Sequence, residues 1–554
     1  MLNAMDDQTT HRWPEGAVVY QIYPRSFYDA NGDGIGDIPG ITVKLDYLKD
    51  LGVNAIWLSP FYTSPMADFG YDVADYCDVD PIFGQLSDMD VLLAEAHKRG
   101  IKIIVDLVPN HSSDEHKWFH QSRQSREDPY SDWYIWRDPK GHDKQGKPIP
   151  PNNWVEHFSG GSAWEWEPSR QQFYLHLFDV KQPDLNWANE EVREAIKSVM
   201  RFWLDKGVDG FRVDAVVYMA KDPLFRDEPP NPHYKPGVNH PFEALQHVNI
   251  RSWPPLYAYL SEMAAVLKEE KYKHSERFMV TEAYPQTHNP IEEYLEFYEG
   301  VDPEVAAPFN FEGLSLSWRA DAWHAFLKTF HGALDALSPQ CVASYAFGNH
   351  DQHRIVTRLG EPTARSAAVL LLTLPGMAFI YNGDELGMKN GKIPPDMVQD
   401  PGAVGGEGRD PERTPLQWSP DKNAGFTTAD RPWLPVADNY KTHNVETESK
   451  DPDSFLSLYR QLGRLRNQSA AMRYGALELI ETGHTSVLGF ARVSDEERHT
   501  ILINFSNKPL KFTMKSKAPL GDFRLSSDPQ TRLHIVKNGK IEMQPHEAAV
   551  FARM

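Results

Sequence analysis

At 554 residues, 41% hydrophobic and 24% charged, the chain is too long for one ordinary core and too apolar to be disordered, so it reads as one large domain carrying smaller ones. Its 57 basic against 78 acidic residues give a formal net charge of -21, which excludes a field that gathers nucleic acid or polyphosphate. Two cysteines, Cys77 and Cys341, exclude a disulfide framework and suit a reducing compartment.

The amino terminus, MLNAMDDQTTHRW, has no basic start followed by an apolar stretch, so no signal peptide is expected and the protein is placed in the cytoplasm. The first apolar run is AVVYQIYP. LDYLKDLGVNAIWLSP and LLAEAHKRGIKIIVDLVPN follow and share a design with the later VMRFWLDKGVDGFRVDAV: an amphipathic helix, a glycine, then an apolar run ending in proline or an acid. In the helix before GFRVDAV, Val192, Ile196, Val199 and Trp203 fall on one face, Asn189 is the N-cap and Gly207 the left-handed C-cap. Ile101 to Asp106 is apolar at successive positions, as in parallel strands covered on both faces. RFMVTEA, VASYAFGNH and MAFIYNGDE continue the alternation, giving about eight βα units. The longest apolar run, around Ala367 to Leu374, is too short to span a bilayer.

The expected fold is α/β: a (β/α)8 barrel over 13–107 and 184–472. A Trp-, Gly- and Pro-rich stretch at 108–183 is too long for a βα loop and reads as an inserted small domain. Short alternating runs such as SVLGFARV and HTILINF make 473–554 an antiparallel β-sandwich domain.

A (β/α)8 barrel carries its active site at the carboxyl ends of the strands. Strand three would deliver Asp106, Asn110 and His111, strand four Arg212 and Asp214, strand five Glu282, and strand seven Asn349, His350 and Asp351. Asp214, Glu282 and Asp351 would converge on one mouth. Crowded carboxylates repel, so their proton affinities separate into an acid and a base, the division glycoside hydrolysis requires. Arg212 and Asp214 lie two apart and emerge on one face, where the guanidinium would keep the carboxylate ionised and oriented.

DLVPNH, GFRVDAV, TEA and GNHD, in this order on these strands, resemble the signature segments of the α-amylase family, and QPDLNW resembles a fifth. QIYPRSFYDANGDGIGD and GRDPERTPLQW are similar to its α-glucosidase and oligo-1,6-glucosidase branch. The resemblance implies Asp214 as nucleophile, Glu282 as acid/base and Asp351 as the third carboxylate holding the sugar hydroxyls. It implies His111 and His350 as hydrogen-bonding partners of the sugar, and Asp68, Tyr71 and Arg409 as the blind end of a pocket for one terminal glucose. Phe158, Phe178 and Gln182 lie where the family places further sugar contacts. In this branch the residue after the nucleophile is small or Thr in enzymes cleaving α-1,4 bonds and Val in those cleaving α-1,6 bonds; here it is Ala215, which favours maltose-like oligosaccharides.

Asp29, Asn31, Asp33, Ile35 and Asp37 present oxygens at alternate positions with Gly34 permitting the turn, much like a calcium-binding loop, although Gly40 stands where a helix-hand loop carries Glu. The expected cofactor is a structural Ca2+, with Mg2+ as the alternative, and no organic cofactor. The partners expected are small oligosaccharides, neither nucleic acid nor membrane, for a monomer or small homo-oligomer. A glucosyltransferase, isomerase or oligo-1,6-glucosidase on the same scaffold stays open, because water and a second sugar compete for one covalent intermediate. A non-catalytic sugar-binding or transporter-partner protein is the remote alternative, since the full set of three carboxylates argues for chemistry.

Overall fold

Successive apolar residues need cover on both faces, and that requirement organises the molecule. The computed structural model describes residues 11–285, 289–403, 408–516, 520–531 and 540–553. Eight parallel strands make the central sheet: β1 (Val18–Ile22), β2 (Ala55–Leu58), β3 (Lys102–Leu107), β4 (Gly210–Val213), β5 (Phe278–Thr281), β6 (Ala306–Pro308), β7 (Ser344–Ala346) and β8 (Met377–Tyr381). Their order is β6-β5-β4-β3-β2-β1-β8-β7. A parallel bridge between Asn310, just past β6, and Tyr345 of β7 joins the two ends and closes the barrel. The expected (β/α)8 architecture is the one found; β6, only three residues long, has no distinctive sequence run of its own.

The crossover helices form where the spacing predicts. Glu190–Lys206 begins at Asn189, whose side chain accepts the Glu191 N–H, buries Val192, Ile196, Val199 and Trp203, and ends at Gly207 with φ +106°. Three residues later the chain enters β4 through Gly210, where a Cβ would stand 1.9 Å from the Phe278 carbonyl oxygen of β5. Only glycine permits that approach, and it fixes how deeply β4 seats beside β5. The run around Ala367–Leu374 belongs to the helix Glu361–Thr373, buried through all its residues from Thr363 onward. Among the described residues no helix is long and apolar enough to cross a membrane.

Between β3 and Glu190, the strands Trp136–Arg137, Trp164–Glu167 and Gln172–Leu175 form an antiparallel sheet above the carboxyl ends of the barrel strands. A second excursion, 222–250, follows β4 and contains little regular structure beyond the 3-10 turn Pro241–Ala244. After the barrel, Ala476–Ile480, Val487–Val493, Arg498–Asn504, Ala548–Arg553 and Asp522–Ser526 build a five-stranded antiparallel sheet. The pair Leu510–Thr513 and Lys540–Met543 packs on it, with Val487, Leu502, Phe512, Ile541 and Phe551 in a small core between them.

Candidate active site

Parallel register assembles the site. Arg212 of β4 stands opposite Asp106 of β3 and Val280 of β5. The ladder runs one residue past each strand: the Asp214 N–H donates to Leu107 O (2.8 Å) and the Glu282 N–H to Val213 O (2.8 Å), so both carboxylates leave from ordered backbone at the barrel rim. Arg212, 1% exposed, lies beneath them. Its Nη1 donates to Asp106 Oδ1 (2.8 Å) and Asp214 Oδ1 (2.6 Å), and its Nη2 pairs with Glu282 Oε1. Ala215 has φ +48° and ψ +32°, a left-handed conformation uncommon for a residue with a side chain, and its N–H donates to Glu282 Oε2 at 3.1 Å. The turn after Asp214 therefore also holds Glu282.

One guanidinium serves three buried carboxylates, so the cluster favours retaining a proton. Burial pushes Asp106 up to about 7, with Arg212 opposing and Glu282 reinforcing the rise. Burial likewise raises Asp214, against Arg212 and with Glu282, Asp106 and Asp351 adding repulsion. Arg212 thus orients Asp214 but shares its charge among three partners. Asp351 goes the other way: burial would raise it, yet His350, Arg409 and Arg413 together hold it well below the usual carboxylate range. Burial keeps His350 neutral, near 3, so the charge that ionises Asp351 comes from Arg413 Nη2 at 2.7 Å and Arg409 Nη1 at 3.3 Å.

These groups face a cavity of about 530 Å3. Asp68, Tyr71, His111, Phe158, Phe178, Asp214, Ala215, Glu282, Asp351 and Arg409 all line it. Arg409 is held within this lining, with Nη2 2.8 Å from Asp68 Oδ1 and 2.6 Å from Asp400 Oδ1, and its guanidinium 5.1 Å over the Phe158 ring. Arg212, Gln182 and His350 stand behind the wall. Gln182 donates to Asp68 Oδ2 at 3.1 Å and lies 3.1 Å from His111. His350 Nδ1 accepts from Gln21 (2.8 Å), which leaves the proton on Nε2 for the Tyr71 hydroxyl (2.8 Å), and that hydroxyl donates to Asp106 Oδ2 (3.1 Å).

Sequence reasoning missed Asp400 and Arg413, which respectively neutralise Arg409 and hold Asp351; Arg413 is visible only as the last residue of the DPER run, and Asp400 carries no motif. It also missed His157, Tyr218, His240, Arg251 and Tyr284, which line the same cavity; His240 comes from the irregular segment 222–250 and Arg251 directly follows it.

The five loop residues proposed for a cation lie on the first βα loop, outside this cavity. Asp29 accepts from Gly32 N (2.6 Å), Gly34 N (2.8 Å) and Thr427 Oγ1 (2.5 Å); Asp37 accepts from Ala30, Asn31 and Gly40 and caps the helix Ile38–Val43. The donors are the hard oxygens that calcium or magnesium prefers. The loop is nonetheless closed by its own hydrogen bonds, and among the described residues no three His, Cys, Asp or Glu side chains group as they would around a metal.

A closed parallel barrel with three carboxylates about one buried arginine defines a class of carbohydrate-active barrel. Residues 21–475 match the α-amylase catalytic-domain model, and the chain belongs to that family. It is 41% identical to an α-glucosidase of Apis mellifera, over 89% of this chain and 85% of that protein. It is 40% identical to an oligo-1,6-glucosidase of Parageobacillus thermoglucosidasius, over 91% and 92%. A solved α-glucosyl transfer enzyme, XgtA, superposes with a TM-score of 0.87 at 36% identity, covering 98% of this chain and all of that one.

Proposed function

We propose that this protein is a retaining, exo-acting α-glucosidase that releases terminal, α-1,4-linked glucose from maltose-like oligosaccharides and also transfers glucose to sugar acceptors. The observation that carries the reading is the Arg409–Asp68 ion pair set in the lining of the cavity that also holds Asp214, Glu282 and Asp351. It supports a pocket for one terminal sugar in preference to a groove with a chain running through it. Asp214 and Glu282 sit on the two nitrogens of one guanidinium, a spacing that supports a nucleophile beside its acid/base partner and not a pair held apart around a water.

In this reading Glu282 protonates the glycosidic oxygen while Asp214 attacks the anomeric carbon; Glu282 then takes a proton from water as the ester to Asp214 breaks, returning α-glucose. Asp351, ionised by two arginines, holds ring hydroxyls. The relatives point the same way in kind, and the transfer enzyme among them supports a share of transglucosylation. Two free, half-buried cysteines, Cys77 and Cys341, support a reducing compartment. For the loop Asp29–Asp37 we propose a structural calcium, with magnesium as the alternative. It is supported by the oxygen donors and by Asp29 and Asp37 crowding their charges in one buried turn.

Proton NMR of the purified protein with maltose tests the assignment. Early α-glucose is expected; early β-glucose overturns the double displacement. Asp214→Asn and Glu282→Gln should each lower kcat by about 10^4-fold or more with the circular dichroism spectrum unchanged. Near-normal turnover by either variant would remove that residue from its role.

A further inference from the structure

Strand β1 is buried along its whole length, yet it carries a carboxamide, Gln21, which is 1% exposed and outside the lining of the cavity. The amide nitrogen donates to Ser59 Oγ (3.1 Å) and to His350 Nδ1 (2.8 Å). Among the described residues no donor reaches the Gln21 carbonyl oxygen. A buried acceptor without a partner works against the fold, so this amide is turned to suit the histidine and not its own bonding.

His350 cannot answer by turning. Its ring is packed among those of Tyr23 (centroids 5.6 Å, planes 21° apart), Tyr71 (5.4 Å, 3°) and Trp57 (6.2 Å, 79°), and Arg413 Nε donates to its backbone carbonyl at 2.8 Å. The variable left is which ring nitrogen carries the proton, and in a neutral imidazole the bond made at one nitrogen decides the other. The surroundings of Nε2 agree with the Gln21 amide. Nε2 stands 3.3 Å from Asp351 Oδ2, on a carboxylate held ionised by Arg409 and Arg413, where a bare nitrogen would set its lone pair against the charge. The Tyr71 hydroxyl, 2.8 Å from Nε2, has one proton to give, and giving it to Asp106 Oδ2 at 3.1 Å requires a donor at His350.

We infer that Gln21 is a positioning residue for the carboxylate cluster: by donating to Nδ1 it keeps the His350 proton on Nε2, which turns the Tyr71 hydroxyl onto Asp106 and steadies the free oxygen of Asp351. The bonds run one way, from Gln21 through His350 and Tyr71 to Asp106, and Asp106 holds the guanidinium that orients Asp214 and Glu282. With the proton on Nδ1 instead, Tyr71 would donate to His350. Asp106 Oδ2 would then keep only Trp57 Nε1 and Arg212 Nη1, each at 3.1 Å, and Asp351 Oδ2 would face a lone pair. Gln21 touches no sugar and passes no proton in the reaction. The inference rests on the α-glucosidase reading.

Nitrogen NMR of isotope-labelled histidine rings reads the tautomer directly, with His350→Asn identifying the signals of His350 by their loss. A bare Nδ1 and a protonated Nε2 are expected in the wild type at neutral pH; a protonated Nδ1 overturns the inference. Gln21→Met keeps the side chain's length and removes the donor, and should lower kcat for maltose about tenfold or more at every pH with the circular dichroism spectrum unchanged. In Gln21→Glu the new carboxyl keeps the proton on Nε2 only while one extra proton lies between it and Nδ1. The groups facing that proton's ring are Tyr23, Tyr71, Asp351 and Arg413. The kcat of Gln21→Glu relative to wild type should therefore be near one at about pH 5 and fall about tenfold or more by about pH 8. Wild-type turnover by Gln21→Met overturns the inference, and so does a loss in Gln21→Glu that is the same at every pH, which would make Gln21 a space-filling residue only. A wild type that leaves maltose and other α-glucosides untouched would instead overturn the α-glucosidase reading, while the ring spectrum still decides the tautomer.

Discussion

Asp106 is the carboxylate that no substrate reaches, yet it shares Arg212 with the two that would do chemistry. Asp106 and Asp214 are pushed up together across that one guanidinium, and the cluster must carry one proton for the acid step while Asp214 stays bare. With burial pushing Asp106 up to about 7, that proton is lost as pH rises through the neutral range, so kcat/KM for maltose should fall on the alkaline side there. Removing a negative neighbour makes the remaining proton easier to lose. Asp106→Asn should therefore shift the alkaline limb to lower pH, and an unmoved limb would show that Asp106 is not coupled to the catalytic pair. Ala215 is the other residue whose effect is local. Its side chain lines the cavity beside Asp214, so Ala215→Val adds bulk where the α-glucosidase reading places the second sugar's linkage. The ratio of maltose to isomaltose kcat/KM should fall by about tenfold or more, within the range one or two methyl groups command.

The loop elements around β8 hold a buried acid of another kind. Glu385, fully buried in the 3-10 turn Asp384–Leu386, accepts from the Tyr20 hydroxyl of β1 (2.7 Å), the Tyr47 hydroxyl of the helix Leu45–Leu51 (2.6 Å) and the Gly383 N–H (2.9 Å). It ties three elements, but burial pushes it up to about 7 despite those donors. A carboxyl raised on folding binds its proton more tightly in the native state, so its contribution is fully present below the unfolded value near 4.5 and is lost as pH rises through 7. Glu385→Gln removes that titration. Whatever its fixed effect, its stability relative to wild type should improve by about 3 kcal/mol between pH 4.5 and 7.5, read from urea unfolding at the two values. A pH-independent difference would show that Glu385 ionises normally.

Across the whole molecule, the Asp29–Asp37 loop bridges the start of the barrel to the chain's late segment: Asp29 N donates to Phe426 O, Thr427 Oγ1 to Asp29 Oδ2, and Trp433 N to Gly34 O. A cation bound there stabilises by mass action, so chelation should lower Tm and added calcium restore it, with the glucose pocket's KM unchanged. A Tm indifferent to chelator and to both ions removes the metal from the account. The same distance along the chain explains what could be read early. The barrel and its strand-end acids were legible because two-sided burial, helix caps and short motifs are local signals, while the pocket roles of Asp68 and Arg409 came from the family resemblance. The irregular segment 222–250 has no periodicity, and Asp400 no motif, so the partners they supply appear only when remote loops meet above the barrel. Residue type and order determined which groups could carry the chemistry. Tertiary structure alone decided that three carboxylates share one guanidinium, that Asp351 is ionised by Arg409 and Arg413, and that Phe178, His157 and Phe242 stack ring on ring beside the cavity. Charge sharing and ring contact depend on distances that sequence separation does not encode.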